Sequence, residues 1–178
     1  MYKPIVIATG VIIALGATSP GVAAAKLTDP QIAHIVVTAD DLDIANAKQA
    51  LQKSQNADVQ RFAHRMIADH GSVTDQAVAL AKKLKITPED NPTSKSLKDA
   101  QDANRTKLDA LNGADFDKAY ADNEAAYHKV VDDALSNTLI PDAQNAELKS
   151  LLQSGLKIFQ DHQRDAENIV KQLSVAHQ

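Results

Sequence analysis

The sequence predicts an all-α chain, an up-and-down bundle of four long helices with a fifth, shorter helix as a crossover. Three observations predict it. Apolar residues recur at alternating steps of three and four along the long segments, the spacing that packs helices side by side. The four Pro residues beyond residue 25, Pro30, Pro88, Pro92 and Pro141, all stand where a helix would start or stop. Between them the chain is rich in Ala, Leu, Lys, Gln and Asp with few β-branched runs, which favours helix over strand.

Residues 1–25 read as a cleaved secretory signal. Lys3 gives a positive start, Ile5 to Ala17 is free of charge, and Ala23 and Ala25 form the small-x-small pattern of a cleavage site. The apolar run is shorter than a membrane span. Residues 26–178 then form one helical-bundle domain, and nothing in them is apolar for long enough to cross a bilayer. Helix one starts at Thr28-Asp29-Pro30, a cap followed by Pro in the first turn, and runs to about Ser54. Asn56 caps helix two, which reaches about Lys85 ahead of Thr87-Pro88. Helix three spans roughly Ser94 to Leu111 and ends at Asn112-Gly113. Helix four spans about Asp115 to Asn137, and Pro141-Asp142 opens helix five, which reaches about Val175.

Composition bounds the function. The chain has 178 residues, 44% hydrophobic and 3% aromatic, enough for one core and too few for two domains. The absence of Cys excludes a disulfide framework, a thiolate zinc site and a cysteine nucleophile. Export without Cys points to a periplasmic or secreted bacterial protein. The net charge of −4 argues against nucleic acid as a partner.

The inward stripes carry polar residues. Helix two reads Val59, Ala63, Met66, His70, Val73, Ala77, Leu80, Leu84. Helix five reads Leu148, Leu152, Gly155, Phe159, His162, Ala166, Ile169, Leu173. Helix three is weaker, with Leu97, Gln101, Asn104, Leu108 and Leu111. Glu124 and His128 share a face of helix four beside Tyr120, Tyr127, Val131 and Leu135. The helix-one series Ile32, Val36, Ala39, Asp43, Asn46, Ala50 turns Asp43 inward. A buried imidazole or carboxylate is costly unless paired or metal-bound, and bundles build metal sites from such residues on facing helices. The metal candidates are therefore His70, His128, Glu124, Asp43 and His162, and the cofactor would be a divalent transition metal: Zn, Fe, Mn, Cu or Ni. Counting rise from the turns puts Asp43, His70 and His128 at one level, with His162 about nine residues, or about 13 Å, away from it. Asp69, Asp161 and the rest of the run Asp40-Asp41-Leu42-Asp43 are expected on solvated faces. His64 is expected to point elsewhere, His34 and His177 to be solvated, and the two tyrosines to pack in the core.

The order Met66-x-x-Asp69-His70, then Phe116-Asp117-x-x-Tyr120 with His128 eight residues later, then His162, resembles the exported bacterial domain-of-unknown-function family 4142 over about residues 28–173. The resemblance implies a ferritin-like bundle and export, and it implies no activity. Asp43 stands where the family's usual residue is Glu, and Leu156-Lys157-Ile158-Phe159 replaces its usual Leu-Pro before the last His.

No Glu-x-x-His occurs, so a dioxygen-activating di-iron centre with two such pairs is not expected. G-x-S-x-G, P-loop and HExxH patterns are absent too. The expected function is a non-catalytic exported bundle that binds a partner or buffers envelope stress, with pH sensing through stripe histidines as a variant. The alternative is a metal-binding bundle, and a small enzyme using a buried His as acid or base is a third reading. An apolar stripe left uncovered would make the chain a homo-oligomer.

Overall fold

The computed structural model describes residues 25–175. Every regular element among them is helical: α1 (Asp29–Lys53), α2 (Ala57–Leu84), α3 (Pro92–Asp109), α4 (Gly113–Ala134), a π-helical turn (Leu135–Leu139), α5 (Ile140–Asp142) and α6 (Ala146–Val175). The expected signal lies outside the described residues except for Ala25.

Local chemistry sets the helix starts. Thr28 accepts from the Gln31 amide while the Gln31 side chain accepts from the Thr28 amide, a reciprocal cap that satisfies two orphan donors. Asn56 accepts from the amides of Asp58 and Val59. Asn91 and Ser94 form a second reciprocal cap, so α3 starts at Pro92, two residues earlier than the expected start of helix three. Gly113 takes φ +56°, which a side chain would strain, and there the chain turns from α3 into α4.

Contacts at the two ends give the chain path. Asn91 Nδ2 donates to the Gln31 carbonyl, and Gln49 Nε2 donates to Asp109 Oδ1 at 2.6 Å. So α3 lies along α1 in the same direction and delivers the chain to the α1–α2 turn. There α4 begins, with Tyr120 edge-on to Phe62 at 6.3 Å. At the other end Asp142 accepts from the Leu27 amide, and Asp29 accepts from the amides of Gln144 and Asn145. Hence α1 and α6 run one way, and α2 and α4 the other. The four long helices touch in the cyclic order α1, α2, α6, α4, with α3 outside against α1 and α4.

The boundary between the last two long helices differs from expectation. Helix four does not stop at Asn137. It continues through the π turn, where the Ile140 amide donates to the Leu135 carbonyl five residues back, and on to Asp142. Pro141 has no N–H to donate, and the widened turn just ahead of it absorbs that defect. The last helix starts at Ala146, where Asn145 accepts from the amides of Glu147 and Leu148.

Two apolar clusters fill the interior. One gathers Ile32, Val36, Val73, Leu135, Leu152 and Phe159; the other gathers Ala50, Val59, Met66, Phe116, Tyr120 and Ile169. All eight expected stripe residues of α6 are buried, as are the first six of α2, while Leu80 and Leu84 near the end of α2 are half-buried. In each long helix the polar residues stand at the seam between the clusters: Asp43 after Leu42, His70 between Met66 and Val73, Glu124 and His128 beside Tyr127, and His162 between Phe159 and Ala166.

Candidate metal centre

Each helix contributes to the seam for a local reason. Asp40 and Asp43 are three residues apart on α1, so they share a face. Glu124 and His128 do so one turn apart on α4. His70 and His162 occupy stripe positions of α2 and α6. Asp43, Glu124, His128 and His162 are all 0% exposed, and His70 is 2% exposed, so no water shields these charges.

The three imidazoles share one pattern. His70 places Nδ1 2.7 Å from Asp40 Oδ1. His128 places Nδ1 3.0 Å from the Glu124 carbonyl. His162 places Nε2 2.8 Å from Asp69 Oδ2. One nitrogen of every ring is thus anchored by an oxygen, and the other is left for the interior. The ring centroids lie 5.2–5.6 Å apart, and ligand atoms of the three fall within 4.8 Å of one another. A histidine anchored this way by an outer oxygen is oriented as metal-binding histidines are.

Asp43 sits among the inner nitrogens. Its Oδ2 lies 2.7 Å from His70 Nε2 and 3.3 Å from His128 Nε2, and the two nitrogens are 3.4 Å apart. Ligand atoms about 2.0–2.2 Å from one tetrahedral cation are about 3.3–3.6 Å apart, which two of these three distances match. Neither Asp43 oxygen makes an aligned hydrogen bond. Glu124 Oε2 and His162 Nδ1 are also buried without a hydrogen-bond partner among the described residues. Asp43, Glu124 and His128 form a second group of ligand atoms within 4.8 Å, sharing His128 with the first.

Electrostatics follow from burial and the two acids. Burial opposes charge on His70, but Asp43 and Asp40 outweigh it and raise its pKa to about 10. Burial likewise opposes charge on Asp43, and His70 and His128 hold it below the usual carboxylate range. Burial, then the Asp43 charge, pushes Glu124 well up. Burial lowers His128, and it lowers His162 to about 4. These directions favour a charged Asp43 against a charged His70 and favour the uncharged forms of Glu124, His128 and His162 beside them.

The chain matches the family described as Domain of unknown function (DUF4142) over residues 16–169. It belongs to that family. No curated protein and no solved structure matches it.

The five residues that the sequence of this DUF4142 chain singles out, His70, His128, His162, Asp43 and Glu124, fall into two adjoining groups that share His128. His162 is the correction. It is level with the others because α4 continues to Asp142 and α6 starts only at Ala146, so the two arms between His128 and His162 are nearly equal. Two further corrections concern outer residues. Asp40 is 1% exposed and holds His70, although it belongs to a run expected to be solvated. Its three-residue offset from Asp43 was the available signal. Asp69 is about one-third exposed, yet its carboxylate turns inward to His162, with Arg65 bonded behind it. His64 and Asp161 are exposed as expected. Tyr127 packs in the core and donates to the Ala39 carbonyl at 3.0 Å, and Tyr120 packs in the core against Phe62 and Phe116.

Proposed function

We propose that this protein is an exported helical bundle of ferritin-like, up-and-down architecture that binds a divalent transition metal in its interior. The observation that carries the reading is the common orientation of His70, His128 and His162, each anchored outside by an oxygen, with the second nitrogens of His70 and His128 turned toward Asp43 and that of His162 buried without a hydrogen-bond partner. The ring contacts among α1, α2, α6 and α4, with α3 returning the chain along α1, support the bundle topology. The residues at 1–25 support export to the periplasm or beyond the cell.

The donor set fits such an ion. It offers imidazole and carboxylate, with no thiolate, which suits Zn, Fe, Mn, Cu or Ni. Asp43, His70, His128 and His162 would hold it, and Glu124 stands beside His128 as a further carboxylate. The ion would supply positive charge to a buried interior in which neither Asp43 oxygen makes an aligned hydrogen bond. Asp40, Asp69 and the Glu124 carbonyl would fix ring orientation. The set lacks two Glu-x-x-His pairs, so binding or handling of metal is the role it supports, not dioxygen activation at a di-iron site.

The Asp43–His70 contact at 2.7 Å favours a second reading, in which a protonated His70 balances Asp43 and the bundle is a metal-free partner-binding or stress-buffering protein. Metal content of the purified protein separates the two. The wild type is expected to retain close to one equivalent after incubation with Zn, Mn, Fe, Ni or Cu and to melt higher with it. His70→Ala combined with His128→Ala is expected to retain none. Equal and negligible metal in both proteins would overturn the metal reading and leave the second.

A further inference from the structure

A cavity of about 310 Å³ lies on one side of the histidine seam and opens to solvent. Its walls are apolar: Val36 from α1, Val73 from α2, Leu135 and Leu139 from the π turn, and Leu152 from α6. At its inner end stand Asp40 and Phe159. Asp40 is held by His70 and Thr74, and the Phe159 ring stacks on His70 at 4.7 Å with 11° between planes. Toward solvent the lining turns polar with Thr93, Asn137, Thr138 and Asp133.

Protein interiors are close-packed with few voids larger than a water molecule, so an apolar recess of this size stands out. An apolar cavity of about 150 Å³ stays dry and takes benzene, and ligand pockets start at about 300 Å³. The π turn makes one wall, and such turns recur at functional sites. It widens the helix just where the cavity needs room.

The lining also selects charge. Among the described residues that line it, none is basic, while Asp40 and Asp133 are acidic. An anionic head would meet like charge and no counter-ion. The hydroxyls of Thr93 and Thr138 and the amide of Asn137 suit a neutral hydrogen-bonding head.

We infer that this cavity binds a small neutral amphiphile, its alkyl or aryl body between Val36, Val73, Leu139 and Leu152 and its hydroxyl or carbonyl head at Thr93, Asn137 and Thr138. The inference does not rest on the metal reading, because no wall of the cavity is one of the five inner ligands.

The test uses the purified protein in the presence of a chelator, so that metal plays no part. N-phenyl-1-naphthylamine, which fluoresces on entering apolar surroundings, is titrated into the wild type, Val36→Phe and Leu135→Trp, with folding checked by circular dichroism. The wild type is expected to give a saturable rise at one probe per chain. Each filled variant should bind at least roughly tenfold more weakly, a difference of about 1.4 kcal/mol. Competition with 1-decanol should displace the probe, and decanoate should need a concentration roughly tenfold higher. A rise in the wild type that fails to saturate would overturn the inference, whatever the variants do. So would equal probe affinity in a folded filled variant. Displacement by decanoate as good as by 1-decanol would overturn the neutral head group.

Discussion

Asp40 Oδ1 stands 2.7 Å from His70 Nδ1, and the pair joins α1 to α2 through two side chains that are almost fully buried. The same carboxylate accepts from Thr74 Oγ1. Asp40 thus fixes the ring whose other nitrogen faces Asp43. Breaking a buried, hydrogen-bonded charge pair by removing one partner costs about 3–5 kcal/mol. Asp40→Ala is therefore expected to lose about 3 kcal/mol in urea unfolding, and Asp40→Asn clearly less, because its carbonyl oxygen still accepts from His70. Both should weaken metal binding by about 10–100-fold in chelator competition. Full metal affinity in Asp40→Ala would mean that His70 needs no anchor.

Asp69 plays the same part for His162 from a different setting. Burial opposes its charge, but His162 and Arg65 hold its pKa below the usual carboxylate range. It is partly exposed, and its ion pair with Arg65 is screened by water and salt. The screened Arg65 pair contributes little, so Asp69→Ala should cost about 1–2 kcal/mol of stability, mostly for the buried His162 nitrogen left without its acceptor, and less than Asp40→Ala. Its metal affinity should fall by about tenfold, since His162 loses its orienting oxygen. Removing Asp40 would harm folding strongly along with binding, whereas removing Asp69 would harm chiefly binding.

The sequence made the helices and the inner ligands legible, because burial in a bundle follows the step of three and four. His162 fits that step on α6 as well as Phe159 and Ala166 do, so its burial was readable. Its level was not, because the level depends on the path between α4 and α6. A π turn has no period of its own, and Pro141 reads equally as a helix start or as the defect that a widened turn absorbs. Asp40 and Asp69 were misplaced for another reason. Each lies next to a residue on the stripe, and an acid there is normally solvated. What turns them inward is a partner ring on another helix, Asp40 to His70 and Asp69 to His162, which periodicity along one helix does not contain. The cavity escaped for the same reason, since residues of α1, α2, α3, α4, the π turn and α6 together bound it.

Asp132 gives the chain a pH dependence apart from the histidines. It is buried on α4, both its oxygens lack a hydrogen-bond partner among the described residues, and burial, then Asp133, raises its pKa to about 7. The folded value lies above the unfolded value of 3.8. Between these values the folded chain holds a proton that the unfolded chain has released, so stability falls as pH rises toward 7. Asp132→Asn removes that dependence. It should be more stable than the wild type by about 1–2 kcal/mol at pH 8, and this advantage should vanish near pH 4. Urea unfolding at the two pH values reads the difference, and an equal gain at both would assign it to something other than ionisation.

The two buried tyrosines of α4 should respond oppositely to loss of their hydroxyls. Tyr127 donates to the Ala39 carbonyl of α1 at 3.0 Å, a contact 88 residues apart in sequence. Tyr120 is 1% exposed, and its hydroxyl has no partner among the described residues. A net hydrogen bond contributes about 0.5–1.5 kcal/mol, whereas a buried unpaired hydroxyl costs about 1–3 kcal/mol. Tyr127→Phe should therefore destabilise by about 1 kcal/mol, and Tyr120→Phe should be neutral or stabilising by about the same amount. Both rings keep their packing, Tyr120 against Phe62 and Phe116 and Tyr127 against His128, so the comparison isolates the oxygen atom. Melting and urea midpoints of the two variants beside the wild type check it. A loss in Tyr120→Phe as large as in Tyr127→Phe would mean that the Tyr120 hydroxyl has a partner, for which Glu124, one turn along the helix and the foremost charge acting on that hydroxyl, is the candidate.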